Sequence, residues 1–85
     1  MKTFTFVKSN YSSSWKGIVL DIYTLPKGYK GYIQPTIYKV LVIQDKNGNT
    51  PRKKIIQNLN KTWLEEIEPF DITHINKDWY EKDNK

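Results

Sequence analysis

The sequence predicts a mostly β protein: a small five-stranded antiparallel barrel with a short C-terminal helix or extension. Three observations predict this class. The chain has 85 residues, which is enough for one small domain. Its apolar residues recur mainly with the period of two that is typical of strands. Aromatic residues make up 14% of the chain, so a short sequence can still build a dense core.

The first predicted strand is Thr3–Val7, in which Phe4 and Phe6 alternate with polar residues and share one side. A polar, turn-prone segment at residues 10–14 follows it and separates it from the next strand.

The second predicted strand is Trp15–Tyr23, and its alternating isoleucine and leucine residues predict one buried face. These residues are Ile18, Leu20 and Ile22. Gly17 lies inside the strand, which predicts a β-bulge or the close approach of another backbone.

The third predicted strand, Thr36–Gln44, is apolar on both faces near its middle, which favours an interior position in the sheet. The dipeptide Asn47-Gly48 follows within the turn at residues 45–49 and indicates a hairpin. Thr50–Gln57 is the predicted return strand, with a proline near its start, where the missing N–H is tolerated.

The last third of the chain is predicted to contain short helical and strand segments. We expect one helical turn at residues 59–64, then a strand at Leu64–Glu68 that ends before a proline. For the tail we favour a helix at Lys77–Lys82, and a last strand at Asp71–Ile75 is the alternative.

Charge divides the chain at residue 62. The net charge is +5, with +9 in residues 1–62 and −4 in residues 63–85. We expect a barrel domain at residues 1–70 and an acidic extension at residues 71–85 that docks on it. Two interpretations of the basic part stay open, a face that binds phosphate groups and a general contribution to solubility.

Residue usage argues against an enzyme. Cysteine is absent and His74 is the single histidine, so we expect no thiolate metal site, no histidine-pair mechanism and no cofactor. The acidic run predicts a solvated face; it comprises Glu65, Glu66, Glu68 and Asp71. No stretch reaches the roughly 20 apolar residues of a membrane span and no secretory signal is visible, so we expect a cytoplasmic protein without a membrane partner.

Four segments carry a resemblance to a known family. They are Gly17–Ile22, Tyr38–Ile43, Asn47–Asn49 and Trp63–Ile67. Over residues 15–68 the chain resembles the small Src-homology-3-like β-barrel proteins that tailed bacteriophages encode. The resemblance implies an accessory protein of phage type, acting in the host cytoplasm, whose barrel serves binding rather than catalysis. It carries over no binding residue.

Two basic segments are candidate sites. Arg52-Lys53-Lys54 is a run of three cations that either neutralises phosphates or forms a solvated strand edge. Residues 27–32 interleave lysines with tyrosines, which suits single-stranded nucleic acid, a polyproline peptide, or tyrosines that fold back over the barrel. We expect Trp15, Trp63 and Trp79 to lie in the core.

The sequence therefore predicts a non-enzymatic protein that binds DNA or RNA through a basic loop face. The predicted contacts are Lys27, Tyr29, Lys30, Tyr32, Lys46, Arg52, Lys53 and Lys54. The alternative is an adaptor or inhibitor that acts on a host or virion protein, for which the charge division would supply electrostatic complementarity.

Overall fold

The computed structural model describes residues 1–10, 14–26 and 36–81, and they form one antiparallel sheet of five strands. The strands are β1 (Phe6–Ser9), β2 (Lys16–Thr24), β3 (Thr36–Gln44), β4 (Ile56–Leu59) and β5 (Leu64–Glu66). Their order in the sheet is β4-β3-β2-β1-β5. Single 3₁₀ turns occur at Lys61–Trp63 and Lys77–Trp79. The predicted class, mostly β with five antiparallel strands, is confirmed; closure into a barrel stays a prediction.

The core consists of two apolar clusters. The first, the valine cluster, contains Val7, Trp15, Val19, Tyr38, Val40, Val42 and Leu64. The second, the isoleucine cluster, contains Ile18, Leu41, Ile43 and Ile75. Successive residues of β3 enter alternate clusters, because neighbouring side chains of a strand point to opposite faces. β3 is therefore buried on both faces between β2 and β4, as its apolar sequence predicts.

The C-terminal segment covers the isoleucine cluster. Ile75 is buried there, with partly buried apolar residues on both sides of it in the chain: Phe70, Ile72, Trp79 and Tyr80. The ring of Phe70 meets that of Phe6 edge-on, with centroids 4.9 Å apart. The predicted tail helix is reduced to the 3₁₀ turn at Lys77–Trp79, and residue 82 lies outside the described residues.

The alternative of a strand at Asp71–Ile75 is wrong. Oδ1 of Asp71 accepts a hydrogen bond of 2.9 Å from the backbone N–H of Thr73. This local bond closes a turn, as aspartate side chains often do.

The first strand begins later than predicted. Phe4 has a φ of 65° and is 48% exposed, so it lies before β1 in the left-handed region. Its backbone N–H donates to the carbonyl oxygen of Val19 at 2.6 Å. Phe4 and Phe6 therefore do not share a strand face, and that prediction is wrong.

Two irregularities shape β2. The pairing with β3 shifts between Lys16 and Gly17, and a Cβ at Gly17 would collide with the carbonyl oxygen of Leu41, so the predicted bulge and close approach are confirmed. A second shift falls between Val19 and Asp21. As a result Ile22 packs on the valine cluster, whereas Ile18 and Leu20 belong to the other face. The single buried face predicted for β2 is wrong for Ile22.

The hairpin turn after β3 is confirmed, but the return strand is not where it was predicted. Gly48 has a φ of 84° and its N–H donates to the carbonyl of Asp45 at 2.9 Å. Residues 50–55 then run as an irregular loop, and β4 begins only at Ile56. Pro51 has no backbone N–H and so cannot donate a hydrogen bond to a neighbouring strand. The loop is joined to β3 by a backbone hydrogen bond in which the N–H of Val42 donates to the carbonyl oxygen of Ile55 at 3.0 Å.

We expect Gly17→Ala to lower the free energy of unfolding by about 2 kcal/mol or more, because the obstructing atom belongs to the backbone of β3 and cannot move aside. Urea denaturation followed by tryptophan fluorescence measures the loss. Gly48→Ala is the matched control. No atom lies within 4 Å of a Cβ there, so it should cost about 1 kcal/mol from its left-handed backbone alone. A larger loss for Gly48→Ala would contradict the close-approach argument.

Candidate functional site

The structure describes one of the two predicted basic segments, the run Arg52-Lys53-Lys54. Four of the eight candidate residues lie outside the described residues: Lys27, Tyr29, Lys30 and Tyr32. The strand ends that flank them, Thr24 and Thr36, pair with each other at one end of the sheet. Lys46 follows the other end of β3, and the nine residues of β3 span roughly 27 Å.

The strand register instead gathers other cations near Lys46. Lys8 of β1 pairs with Lys16 of β2, and Lys16 pairs with Gln44, the last residue of β3. Neighbouring strands lie about 4.8 Å apart, so these positions are close together across the sheet. We call this region the basic end; its cations are Lys8, Lys16, Lys46, Arg52, Lys53 and Lys54. The sequence prediction missed Lys8 and Lys16, because only the strand pairing places them beside the loop.

The loop from Asp45 to Ile55 presents its cations from irregular backbone. Arg52, Lys53 and Lys54 are all exposed, and Arg52 and Lys53 lie in a bend. They therefore lie before β4 and not within a strand, so their predicted place in the return strand Thr50–Gln57 is wrong. Asp45 orders the turn, because its Oδ1 accepts hydrogen bonds from the backbone N–H groups of Asn47 at 2.9 Å and Asn49 at 3.0 Å.

A cleft opens beside this loop on the face of the valine cluster. Its volume is about 460 Å³, and it is lined by Trp15, Val42, Asp45, Lys46, Pro51, Ile55 and Gln57. Trp15 and Val42 are buried and form its base, whereas Ile55 is 39% exposed. We call it the Trp15 cleft. It places an ammonium group at the edge of an apolar depression.

A second cavity, of about 310 Å³, lies on the opposite face of the sheet. It is lined by Leu20, Asp21, Lys39, Lys54, Asp78, Trp79, Tyr80 and Glu81. We call it the Lys39 cavity. Two cations face three carboxylates there, so Lys54 lies in a partly neutralised environment. Lys46 and Lys54 thus line different cavities, and the predicted cluster is divided between two faces.

One other cation of the basic end meets a carboxylate. Lys8 Nζ lies 3.8 Å from Glu65 Oε1, with both side chains largely exposed. Within the described ranges this is the one ion pair shorter than 4.0 Å. Lys16, Lys46, Arg52 and Lys53 form no ion pair of this kind within the described residues and lie outside the Lys39 cavity, so they are the least neutralised cations of the basic end. Of these four, Lys46 shares the Trp15 cleft with the carboxylate of Asp45.

The three tryptophans have different environments. Trp15 is 6% exposed, as predicted for a core residue, and Trp79 is partly buried against the isoleucine cluster. Trp63 is 45% exposed, so its assignment to the core is wrong. It lies in the 3₁₀ turn whose first N–H groups are capped by Asn60, which fixes the turn but leaves the indole outside the core.

The C-terminal segment touches the basic loop through His74, whose Nε2 lies 3.1 Å from Thr50 Oγ1. Nearby, hydrogen bonds from the backbone and the side chain of Thr73 lower the pKa of Asp71. Asp71 is exposed, so these hydrogen bonds order a surface turn, and its lowered pKa is their consequence.

The acidic run forms no metal centre in the part of the chain that the structure describes, where no three His, Cys, Asp or Glu residues are grouped to hold an ion. Across those same residues, no helix is long and apolar enough to cross a membrane.

Comparison of the chain with known protein families, with curated proteins and with solved structures finds no match. The geometry alone therefore defines the class: a small antiparallel β protein with a basic end that adjoins an apolar cleft.

We expect the tryptophan environments to be separable by fluorescence. Trp63→Phe should shift the emission maximum to shorter wavelength and reduce quenching by acrylamide, because it removes the exposed indole. Trp15→Phe, the matched control, should have the opposite effect on both quantities. Equal quenching in the two variants would show that Trp15 is not buried at the base of the cleft.

Proposed function

We propose that this protein binds nucleic acid without catalysis, through the phosphate groups that its basic end attracts. The observation that carries the proposal is the strand register, which aligns Lys8, Lys16 and Gln44 across three strands. Cations of β1 and β2 thereby lie at the end of the sheet where β3 leads into the loop that carries Lys46, Arg52 and Lys53. Such convergence by folding favours a phosphate-binding surface over charge scattered for solubility.

The carboxylates at the basic end offset only part of its charge. Among the described residues this region holds six cations. The carboxylates beside them are those of Asp45, which orders the hairpin turn, and Glu65, which pairs with Lys8. Three more line the Lys39 cavity with Lys54, namely those of Asp21, Asp78 and Glu81. The balance at the basic end stays positive.

Binding of this kind should depend little on sequence. Lysine ammonium groups act on phosphate as point charges, and Arg52 is the single arginine of the chain. Each phosphate neutralised on duplex DNA contributes about −0.9 to the slope of log K against log salt. Four contacts, from the four least neutralised cations, give a slope of about −3 to −4.

We predict that the double variant Arg52→Gln/Lys53→Gln lowers this slope by about two units and weakens binding at least tenfold at 100 mM salt. Fluorescence anisotropy with labelled DNA and RNA at three salt concentrations measures both quantities. Lys2→Gln/Lys77→Gln is the matched control, since it removes the same charge from residues that line neither the Trp15 cleft nor the Lys39 cavity. An equal effect of the control would mean that net charge alone governs binding, and absence of binding at 50 mM salt would refute the proposal.

We predict that Asp78→Asn/Glu81→Gln strengthens binding severalfold and that adding Lys54→Gln abolishes this gain. The carboxylates of Asp78 and Glu81 line the Lys39 cavity together with Lys54, so their removal frees the lysine for phosphate. The matched control is Glu66→Gln/Glu68→Gln, which removes two charges outside that cavity. If the control strengthens binding as much, the effect comes from net charge and not from Lys54.

The experiments also distinguish the alternative partner. A host or virion protein that copurifies in a fixed ratio after nuclease treatment, together with no nucleic-acid binding at low salt, would favour an adaptor or inhibitor. The resemblance to phage-encoded Src-homology-3-like barrels agrees with either use, because a fold of this size does not determine its ligand.

A further inference from the structure

We propose that the Trp15 cleft binds an unpaired nucleobase, so that the protein prefers single-stranded nucleic acid to duplex; this inference rests on the proposed function. The basic end alone explains attraction to phosphate in any polynucleotide. It does not explain an apolar depression that lies directly beside Lys46. A ligand that carries an apolar ring next to a phosphate uses both features.

The size of the cleft suits one nucleotide unit. Its volume of about 460 Å³ falls in the usual range of small-molecule sites, roughly 300 to 1,000 Å³. Val42 and Trp15 form the base, and Pro51 and Ile55 form apolar walls. A flat base that leaves the stack can pack against these side chains, whereas a base inside a duplex already stacks on its neighbours.

The cleft is held in shape before any ligand arrives. The backbone N–H of Trp15 donates to Ser9 Oγ at 3.1 Å, and the N–H of Ser9 donates to the oxygen of Trp15 at 2.9 Å. Ser9 is itself buried, so this pair anchors the base of the cleft in β1. On the other side the carbonyl of Ile55 accepts from Val42 at 3.0 Å. A site fixed in this way spends little binding energy on ordering.

Two of the three polar residues of the cleft match a nucleotide, and the third, Asp45, directs its carboxylate to the backbone N–H groups of Asn47 and Asn49. The amide of Gln57 offers both a donor and an acceptor, as the edge of a base requires. Lys46 lies in the same cleft and can meet the adjoining phosphate, while Arg52 and Lys53 follow Pro51 directly. A proline-rich peptide would also pack on aromatic and aliphatic walls, but it would leave these cations unused.

The test measures binding of a labelled 12-nucleotide single strand and of the matching duplex by fluorescence anisotropy at 100 mM salt. The wild-type protein should bind the single strand at least about tenfold more tightly. Ile55→Ser removes an exposed apolar wall without changing charge, and it should cut this preference at least fivefold while duplex affinity stays within twofold. Phe4→Ser, the matched control, removes another exposed apolar side chain, outside the cleft, and should leave the preference intact.

A second readout follows the indole N–H of Trp15 by nuclear magnetic resonance. Uridine monophosphate should shift this signal, whereas inorganic phosphate should not, because the base and not the phosphate enters the cleft. Trp15→Phe assigns the signal.

Four outcomes would overturn the inference. Equal affinity for single strand and duplex would do so while leaving the proposed function intact, as would a preference that survives Ile55→Ser. A shift of the Trp15 signal by a proline-rich decapeptide but not by uridine monophosphate would assign the cleft to a peptide. Absence of binding to both polynucleotides would remove the proposed function itself, and this inference with it.

Discussion

The burial of β3 on both faces is the constraint on which the rest of the structure depends. Val40 and Val42 enter one cluster and Leu41 and Ile43 the other, so each face of this strand must be covered. On one face the cover comes from residues of β1, β2 and β5 together with Trp15, which precedes β2. On the other face the C-terminal segment adds Ile75. A chain of 85 residues has little left with which to build a separate ligand site, so loops and strand ends must supply one.

This constraint also explains where the charges lie. The tail must bring apolar side chains to the isoleucine cluster, and it brings its acidic residues to the same face, beside Lys39 and Lys54. The opposite face keeps its cleft free of tail carboxylates, because the residues that line it come from β2, β3, β4 and their loops. The two tail carboxylates of Asp78 and Glu81 therefore lie on the face of the isoleucine cluster, whereas Lys46 lines the cleft on the other face.

The sequence predicts most of the strands because their period is local, and it predicts the hairpin because Asn47-Gly48 meets a requirement of the turn itself. The sequence-based prediction is wrong where the face that a side chain occupies depends on how two strands pair. The shift after Val19 turns Ile22 to the other face, and no pattern within β2 marks the extra residue. Half of the predicted site residues fall on residues 27–32, outside the described residues. Lys8 and Lys16 belong to the basic end only because β1 pairs with β2 and β2 pairs with β3 in this register.

The two parts of the proposed surface respond differently to salt, and this difference gives each a distinct role. Phosphate contacts by exposed lysines weaken steeply as ions screen them, with a Debye length of about 8 Å at physiological ionic strength. Burial of an apolar ring against Trp15 and Ile55 is not weakened in this way, because it depends on the removal of apolar surface from water. At low salt the basic end therefore dominates and all polynucleotides compete. Near physiological salt the cleft contributes a larger share of the affinity, so discrimination between paired and unpaired bases should rise as overall affinity falls.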